Sequence, residues 1–391
     1  MNYNFDKQID RKGTKCEKYD NLTEVFGRDD IFPAWVADTD FETPSFILDA
    51  VAQRAKHPIL GYTFRDESYL NSISGWLQRR VGWEVKNEWI EFSPGVVCGV
   101  SYAINLLSDT DDRVVIQPPV YPPFARTTEA NNRTVVNNPL IWDGEKYQID
   151  FENFEEALKG SKLFILCNPH NPTGRAFTRE ELTKMGELCI KHGVKIISDE
   201  IHSDLMLSGN KHIHIASISK EISDITITLI APSKTFNTAG LSTSVAIIPN
   251  EQLMAIYRDN SDKMHVGQGN IFGATALQAA YNNGDEWLDQ LLVYLEKNAD
   301  YVVDFLSKNC PKIKTYKPES TFLMWLDFKE LNLSQEKLVE FMLNDAKIGL
   351  NDGQAFGVEG IGYMRLNIGT TLDNIKYIMS QIKMAYDKRG F

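Results

Sequence analysis

The fold is decided by residues 225–237, which read ITITLIAPSKTFN. The apolar, β-branched run at 225–230 predicts a buried strand, and Lys234 follows shortly after its end. A lysine that is desolvated in such a place gives up its proton readily, and its amine can then condense with a carbonyl group. Lys234 is therefore a candidate catalytic residue, and the alternative interpretation is a lysine on a solvated loop.

The residues around this stretch alternate short β-branched runs with amphipathic helical patterns, which is typical of an α/β protein. A helix is predicted at 179–192, and further buried strands are predicted at 113–116, 162–166, 195–198 and 244–248. Apolar runs of this length indicate a mainly parallel sheet enclosed between helices.

The C-terminal part of the chain has a different pattern. It predicts a long helix at 286–308, a strand at 322–327, a helix at 334–344, a strand at 363–367 and a closing helix from Asp373. The segment 32–38 is too apolar to remain in water, so we expect it to pack there. We therefore predict a large domain at 46–285 and a smaller α+β domain formed by 1–45 and 286–391.

Composition narrows the class of protein. The 391 residues are 43% hydrophobic and 24% charged, which excludes a disordered chain. A net charge of −12 and the lack of a basic block argue against nucleic acid or anionic lipid as the partner, so we expect a small-molecule ligand.

Location and thiol chemistry are also predicted from the sequence. No segment approaches the roughly 20 apolar residues of a membrane span, and residues 1–7 do not resemble a secretory signal. A cytoplasmic protein is expected. The cysteines have no paired spacing for a metal or redox site, so we expect no bound metal and reduced, mostly buried thiols at Cys16, Cys98, Cys167, Cys189 and Cys310.

Two polar motifs follow predicted strands, where ligands collect in doubly wound sheets. The run 166–174, LCNPHNPTG, has two Asn-Pro steps whose rigid path can fix the amide of Asn171, with a cis peptide as one option and an ordinary turn as the alternative. Asp199 closes the next strand. Its carboxylate could pair with a protonated ring nitrogen of a ligand, and a helix cap is the alternative.

Three further motifs suggest contacts to a planar, phosphorylated ligand and its partner substrate. Residues 93–99, SPGVVCG, precede a helical pattern, where glycine lets backbone N–H groups approach a phosphate. Tyr121 lies in a loop stiffened by four prolines and could stack on a ring. Arg365 interrupts an alternating strand, and its planar fork suits a carboxylate. The alternative interpretations are an ordinary glycine turn at 93–99, core packing of Tyr121 and a surface position for Arg365.

Together these residues resemble the pyridoxal-phosphate enzymes of the aspartate aminotransferase fold, and the resemblance covers nearly the whole chain. Within that fold, several segments are similar to the MalY/PatB-type cystathionine β-lyases, namely 35–41 (WVADTDF), 61–63 (GYT), 93–97 (SPGVV), 199–204 (DEIHSD) and 233–237 (SKTFN). The resemblance implies an α/β fold with a large, mainly parallel sheet domain and a smaller α+β domain. It also implies pyridoxal 5′-phosphate as cofactor and a homodimer with shared active sites.

The resemblance assigns cofactor roles at the matching positions. Lys234 would carry the cofactor as a Schiff base and move the Cα proton, Asp199 would hold the pyridine nitrogen, and Tyr121 would stack on the ring. Asn171 and His202 would lie near the ring hydroxyl. The phosphate would be bound by Gly95, Val96, Val97, Ser233 and the partner subunit's Tyr62.

The substrate would be bound through its carboxylate by Arg365, with further contacts implied for Ala37, Asn171, Trp35 and Tyr62. The aminotransferase pattern also has an arginine soon after the lysine, whereas residues 240–243, GLST, contain none. The lyase subfamily shares that difference.

The implied activity is β-elimination from L-cystathionine or a related cysteine S-conjugate, which yields pyruvate, ammonia and a thiol and belongs to amino-acid metabolism, specifically methionine biosynthesis. Two alternatives remain open. An aminotransferase would use the same residues and protonate the ring carbon instead of expelling a thiolate. A metabolite-sensing regulator would keep the site and act through a protein partner, because the acidic chain is unsuited to direct DNA contact.

Overall fold

The computed structural model describes residues 3–391, so Met1 and Asn2, with which the predicted small domain begins, lie outside the described residues. The strands are β1 Phe32–Pro33, β2 Ile90–Ser93, β3 Arg113–Ile116, β4 Thr134–Asn137, β5 Leu140–Trp142, β6 Tyr147–Ile149, β7 Ser161–Cys167, β8 Lys195–Asp199, β9 Thr226–Ile230, β10 Ser244–Ile247, β11 Leu323–Asp327, β12 Ile348–Gly349, β13 Asn351–Asp352 and β14 Tyr363–Asn367.

The α-helices are α1 Glu17–Asp20, α2 Leu22–Phe26, α3 Ser45–Ala55, α4 Glu67–Val81, α5 Val96–Leu107, α6 Pro123–Ala130, α7 Phe151–Leu158, α8 Arg179–His192, α9 Lys220–Ser223, α10 Glu251–Met264, α11 Ile271–Asn283, α12 Asp285–Asn309, α13 Gln335–Glu340 and α14 Leu372–Arg389. In the part of the chain that is described, no helix has the length and apolar character needed to cross a bilayer.

The large sheet has the strand order β2-β10-β9-β8-β7-β3-β4. The strands from β9 to β4 are parallel, whereas β10 runs antiparallel to both of its neighbours. This confirms the predicted mainly parallel sheet. The strand β3 and the helix α8 have the predicted bounds, and the other large-sheet strands that were predicted differ at their ends by one residue.

The sheet separates two apolar layers because successive side chains of a strand point to opposite faces. In β7, Leu163 and Ile165 join a core with α5 and α6, while Phe164 and Leu166 join another core with α7 and α8. Helix α8 begins at a capping box in which Thr178 accepts from the Glu181 N–H and the Glu181 carboxylate accepts from the Thr178 N–H. The sheet is thus held rigidly between helices.

The C-terminal part forms a smaller sheet with the order β11-β14-β13. The N-terminal segment packs on this part, because β1 pairs with β12 and the Asn367 N–H donates to the Ala34 carbonyl at 3.0 Å. The bounds of the two proposed domains stay a prediction.

One local expectation differs from the structure. The helix predicted at 334–344 ends as an α-helix at Glu340, and Phe341–Asp345 form a π-helical turn. The wider turn accommodates two adjacent buried side chains, Phe341 and Met342. All five cysteines are free thiols; Cys98 is exposed and Cys16 half-buried, while the other three are buried.

Candidate active site

A cavity of about 330 Å³ opens where the carboxyl ends of β7 and β8, the loop after β9 and the N-terminus of α5 meet. Ten of the residues predicted for the site line it, namely Ala37, Gly95, Val96, Val97, Tyr121, Asn171, Asp199, His202, Ser233 and Lys234. Trp35, Tyr62 and Arg365 lie outside this lining. The strand order brings together residues that are far apart in the sequence.

Lys234 lies in the turn after β9, and its Nζ donates a hydrogen bond of 2.6 Å to the carbonyl oxygen of Ala37. Burial and the nearby charge of Arg365 lower the pKa of Lys234 to about 8. The amine can therefore exist in its neutral, nucleophilic form near neutral pH.

Asp199 is the last residue of β8, and its carboxylate accepts a hydrogen bond of 3.1 Å from the Ile201 N–H. Burial raises the pKa of Asp199 to about 7. A cation placed beside this carboxylate would offset the cost of its burial and keep it ionised.

His202 is buried against the edge of Phe322, with ring centroids 5.8 Å apart. Burial, together with the charges of Lys234 and Arg365, holds the pKa of His202 well below its usual range, so the ring is neutral. Its Nδ1 atom has no hydrogen-bond partner within residues 3–391. A buried polar atom of this kind calls for a ligand group or an ordered water.

Arg365 lies behind the cavity and connects to it through Asn171. Its guanidinium donates to Asn171 Oδ1 at 2.9 Å, to the Trp35 carbonyl at 3.0 Å and to Asn351 Oδ1 at 2.6 Å. The group rests over the ring of Phe356, 5.0 Å from its centroid, and burial lowers the pKa of Arg365 to about 10. Arg365 is thus a buried, still charged donor in a fixed position.

The loop that carries Asn171 has both Asn-Pro peptide bonds in the cis form, which is the option anticipated from the sequence. The Asn171 carbonyl is occupied by Arg365, whereas its amide N–H groups have no partner in the described part of the chain. The side chain is therefore oriented by Arg365 and can donate into the cavity.

The N-terminus of α5 forms another wall of the cavity. Gly95 precedes it with φ of +149°, a conformation that favours glycine, and no side chain within residues 3–391 caps the helix. The first backbone N–H groups of a helix have no intrahelical acceptor and favour anions. This wall therefore suits a phosphate group.

Tyr62 is 97% exposed, on a loop with further exposed apolar side chains at Ile59, Leu60 and Phe64. The loop is fixed at its base because Arg65 donates to the carbonyls of Gly267 and Gln268 at 2.9 and 2.7 Å. Tyr62 does not reach the cavity of its own chain, so a role there requires a second subunit.

Several lining residues were missed by the sequence interpretation. They are Pro94, Cys98, Cys167, Ile201, Ala231, Ala239, Ser242, Thr243 and Ser244. The last three reach the cavity because β10 runs antiparallel to β2, which no local pattern indicated. Asn351 was also missed, because its contact with Arg365 depends on the pairing of β13 with β14.

A second polar cluster lies directly after Asp199, where Glu200, His212 and His214 could by residue type hold a metal ion. The Glu200 carboxylate already accepts from Ser198 Oγ and His212 Nε2, both at 2.7 Å, and also faces His214 Nδ1 and the Ile215 N–H. These contacts occupy both oxygens of the Glu200 carboxylate and link β8 to the 212–215 segment.

The groups around the cavity fit pyridoxal phosphate, the cofactor implied by the sequence resemblance. They provide an amine at Lys234, a carboxylate at Asp199, an aromatic ring at Tyr121 and an uncapped helix N-terminus at Gly95. The unpartnered Nδ1 of His202 adds a polar atom for a ring substituent.

Comparison with known proteins agrees with this arrangement. Residues 36–382 match the family described as aminotransferase class I and II. The chain is 46% identical to cystathionine beta-lyase PatB of Bacillus subtilis (strain 168), over 98% of this chain and 99% of that protein. Cystalysin of Treponema denticola, solved with its pyridoxal 5′-phosphate cofactor, superposes with a TM-score of 0.96 at 32% identity over the full length of both chains. The pyridoxal-phosphate-bound C–S lyase of Staphylococcus hominis superposes with a TM-score of 0.91 at 35% identity, covering 98% of each chain.

Proposed function

The chain belongs to the class I and II aminotransferase family, and we propose that it is a pyridoxal-phosphate-dependent C–S β-lyase. Its substrate is L-cystathionine or a related cysteine S-conjugate, which it converts to pyruvate, ammonia and a thiol. The observation that carries this proposal is the near full-length relation to the B. subtilis cystathionine β-lyase. The cavity around Lys234 supplies the groups that such a reaction needs.

The cofactor would be held by residues in five roles. Lys234 would bind it covalently through its amine, Asp199 would pair with the ring nitrogen, and Tyr121 would pack on the ring face. Asn171 and His202 would contact the ring hydroxyl, while the phosphate would be bound by Gly95, Val96, Val97 and Ser233. When bound, pyridoxal phosphate supplies an electron sink for negative charge that develops at the substrate Cα.

Lys234 moves the Cα proton. Its pKa of about 8 allows the released amine to accept a proton near neutral pH and to give it up later. The carbonyl of Ala37, which accepts from Nζ at 2.6 Å, gives the amine a fixed resting position. Ala37 therefore offers the amine an acceptor whenever the amine is not bound to the cofactor.

Arg365 and Asn171 bind the α-carboxylate of the substrate. Arg365 suits this role because it is buried, charged and held by three acceptors, and its Nε has no partner within residues 3–391. Trp35 and Ala37 contribute the loop that faces this carboxylate. A carboxylate accepted here would be held by charge-assisted hydrogen bonds.

Elimination follows from proton removal. The electron pair of the Cα–H bond forms the Cα–Cβ double bond, and the pair of the Cβ–S bond leaves with sulfur as a thiolate. The released enamine reacts with water to give pyruvate and ammonia. An aminotransferase would use the same residues, and the family description makes it the second candidate.

The active unit that we propose is a homodimer. The exposed apolar loop around Tyr62 supports it, because a contiguous apolar surface of this kind marks an interaction site. In the dimer, the partner subunit's Tyr62 reaches the phosphate and the substrate. From the resemblance we also propose a cytoplasmic location and a place in methionine biosynthesis.

The test is to incubate the cofactor-loaded protein with L-cystathionine, without a keto acid, and to measure pyruvate and free thiol together. Lys234→Ala serves as the inactive variant, and Lys220→Ala, at an exposed lysine on α9, is the matched control. Equal release of both products by the wild type and the control, lost in Lys234→Ala, supports the lyase. Amino-group transfer to an added keto acid without thiol release would instead identify an aminotransferase.

A further inference from the structure

We propose that Ser242 binds the cofactor phosphate, so that neutral hydroxyl and backbone donors hold this dianion where an arginine side chain is absent. This inference rests on the proposed function, because it takes pyridoxal phosphate to be the ligand of the cavity. It assigns a further binding residue to the site.

Strand register places Ser242 at the phosphate wall. In the antiparallel pairing of β10 with β2, Ser244 lies opposite Ser93 and Val245 lies opposite Phe92. Ser242 lies two residues before Ser244, and Gly95, the residue that precedes α5, lies two residues after Ser93, so both lie beyond the same end of this strand pair. Both residues line the cavity, so Ser242 faces the same space as the uncapped helix N-terminus.

The backbone of Ser242 is in a left-handed conformation, with φ of +45° and ψ of +53°. It ends the short 3-10 helix Ala239–Leu241. Such a conformation is unfavourable for residues other than glycine and asparagine, and strained residues of this kind cluster at ligand sites. A serine in this position is explained if its hydroxyl has a use that glycine lacks.

The neighbouring hydroxyls are already engaged, whereas that of Ser242 is not. Thr243 Oγ1 donates to the Leu241 carbonyl at 3.0 Å, and Ser244 Oγ donates to the Ser93 carbonyl at 2.9 Å. Within residues 3–391, neither Ser242 nor Ser233 has a hydrogen bond to its hydroxyl. Among the serine and threonine hydroxyls that line the cavity, these two are therefore the ones without a protein partner in the described chain.

The charges around the cavity make these donors necessary. Lys234 is the one cationic side chain among the lining residues of the described chain, and its amine is committed to the cofactor carbonyl. A phosphate dianion must then be bound by the N–H groups of α5, with their helix dipole, and by hydroxyl groups. Ser242 supplies one of these hydroxyls.

The experiment titrates cofactor-depleted, full-length protein with pyridoxal phosphate and follows the absorbance of the lysine-bound cofactor. We expect Ser242→Ala and Ser242→Gly each to raise Kd roughly tenfold, as loss of a hydrogen bond to a charged group predicts. Inorganic phosphate should compete less well in both variants. Ser208→Ala is the matched control, since Ser208 is exposed and also left-handed, with φ of +57°, but does not line the cavity.

The glycine variant separates binding from structure. Glycine relieves the backbone strain, so the cofactor-depleted Ser242→Gly protein should melt at a higher temperature than wild type while binding the cofactor more weakly. An unchanged affinity for pyridoxal phosphate in either Ser242 variant, or an equal loss of affinity in Ser208→Ala, would overturn this inference and leave the proposed function standing. If the wild type binds no pyridoxal phosphate, both this inference and the proposed function are wrong.

Discussion

Lys234 donates to the Ala37 carbonyl across 2.6 Å, which connects the turn after β9 to a loop from the N-terminal part of the chain. That loop is fixed from both sides. Asn237 donates to the carbonyls of Thr39 and Phe41 at 3.0 and 3.1 Å, and Asn367 donates to those of Val36 and Asp38. The resting position of the catalytic amine therefore depends on two asparagines outside the cavity.

Replacing Asn237 with glycine should loosen this loop. Glycine tolerates the left-handed backbone of Asn237, with φ of +57°. Any loss of stability in the variant therefore comes from the missing side-chain hydrogen bonds. We expect the free energy of unfolding to fall by about 1–3 kcal/mol, measured by urea denaturation, with a lower rate of elimination. Asn132→Gly is the control, because Asn132 is exposed and left-handed, with φ of +60°. Equal effects of the two changes would argue against a specific role for Asn237.

Asp199 should make the cofactor-depleted protein less stable as pH rises. Burial raises its pKa from 3.8 to about 7, so the folded state binds this proton more tightly than the unfolded chain. The stability that the folded protein gains from the proton on Asp199 is fully present below the ordinary pKa of 3.8, and it is lost as pH rises through about 7.

The substitution Asp199→Asn removes this dependence while an oxygen can still accept from the Ile201 N–H. Without cofactor, we expect the free energy of unfolding of the variant to exceed that of the wild type by about 2 kcal/mol near pH 8. This difference should become smaller toward pH 5. Elimination activity should nevertheless be lost. Thermal melts across pH measure this, with Asp49→Asn at an exposed position as control. A gap that does not change with pH would contradict the assignment.

Complementation between inactive variants tests whether Tyr62 acts across the dimer. In a hybrid of Lys234→Ala and Tyr62→Ala subunits, one site would combine both changes and the other would be intact. Random co-assembly should then restore about one quarter of wild-type activity. Lys234→Ala with Asp199→Asn is the control, since both residues serve their own chain and no site is repaired. Failure of the first pair to regain activity would count against a shared site.

The cluster of Glu200, His212 and His214 should not depend on a metal. Burial alone would raise the pKa of Glu200, but His214 and His212 together lower it to about 2. Its contribution to stability is therefore present above the ordinary pKa of 4.5 and is lost as pH falls toward about 2.

A chelator should leave the melting temperature unchanged. Glu200→Gln should lower the free energy of unfolding by about 2–4 kcal/mol, because an amide group would oppose the surrounding donors. Glu129→Gln, at an exposed site on α6, is the control. A lower melting temperature in chelator, restored by zinc, would show a metal centre instead.

Much of the fold and of the site could be predicted because the informative residues follow apolar strands. Asp199, Asn171 and Lys234 each come after a recognisable buried run, and parallel strands place such ends together. Ser242 could not be found this way, since its place depends on the antiparallel β10, which resembles its parallel neighbours in sequence. The acceptors of Arg365 depend on distant pairings, and the role of Tyr62 depends on a second subunit.

The fixed loop around Ala37 also makes the active site sensitive to the order of folding. Arg365 and Asn367, which donate hydrogen bonds to this loop, lie about 330 residues further along the sequence. The strands of the large sheet all lie between Ile90 and Ile247, so the sheet that carries Lys234 can form without β14. Lys234 therefore gains its fixed acceptor only when these distant segments pack together.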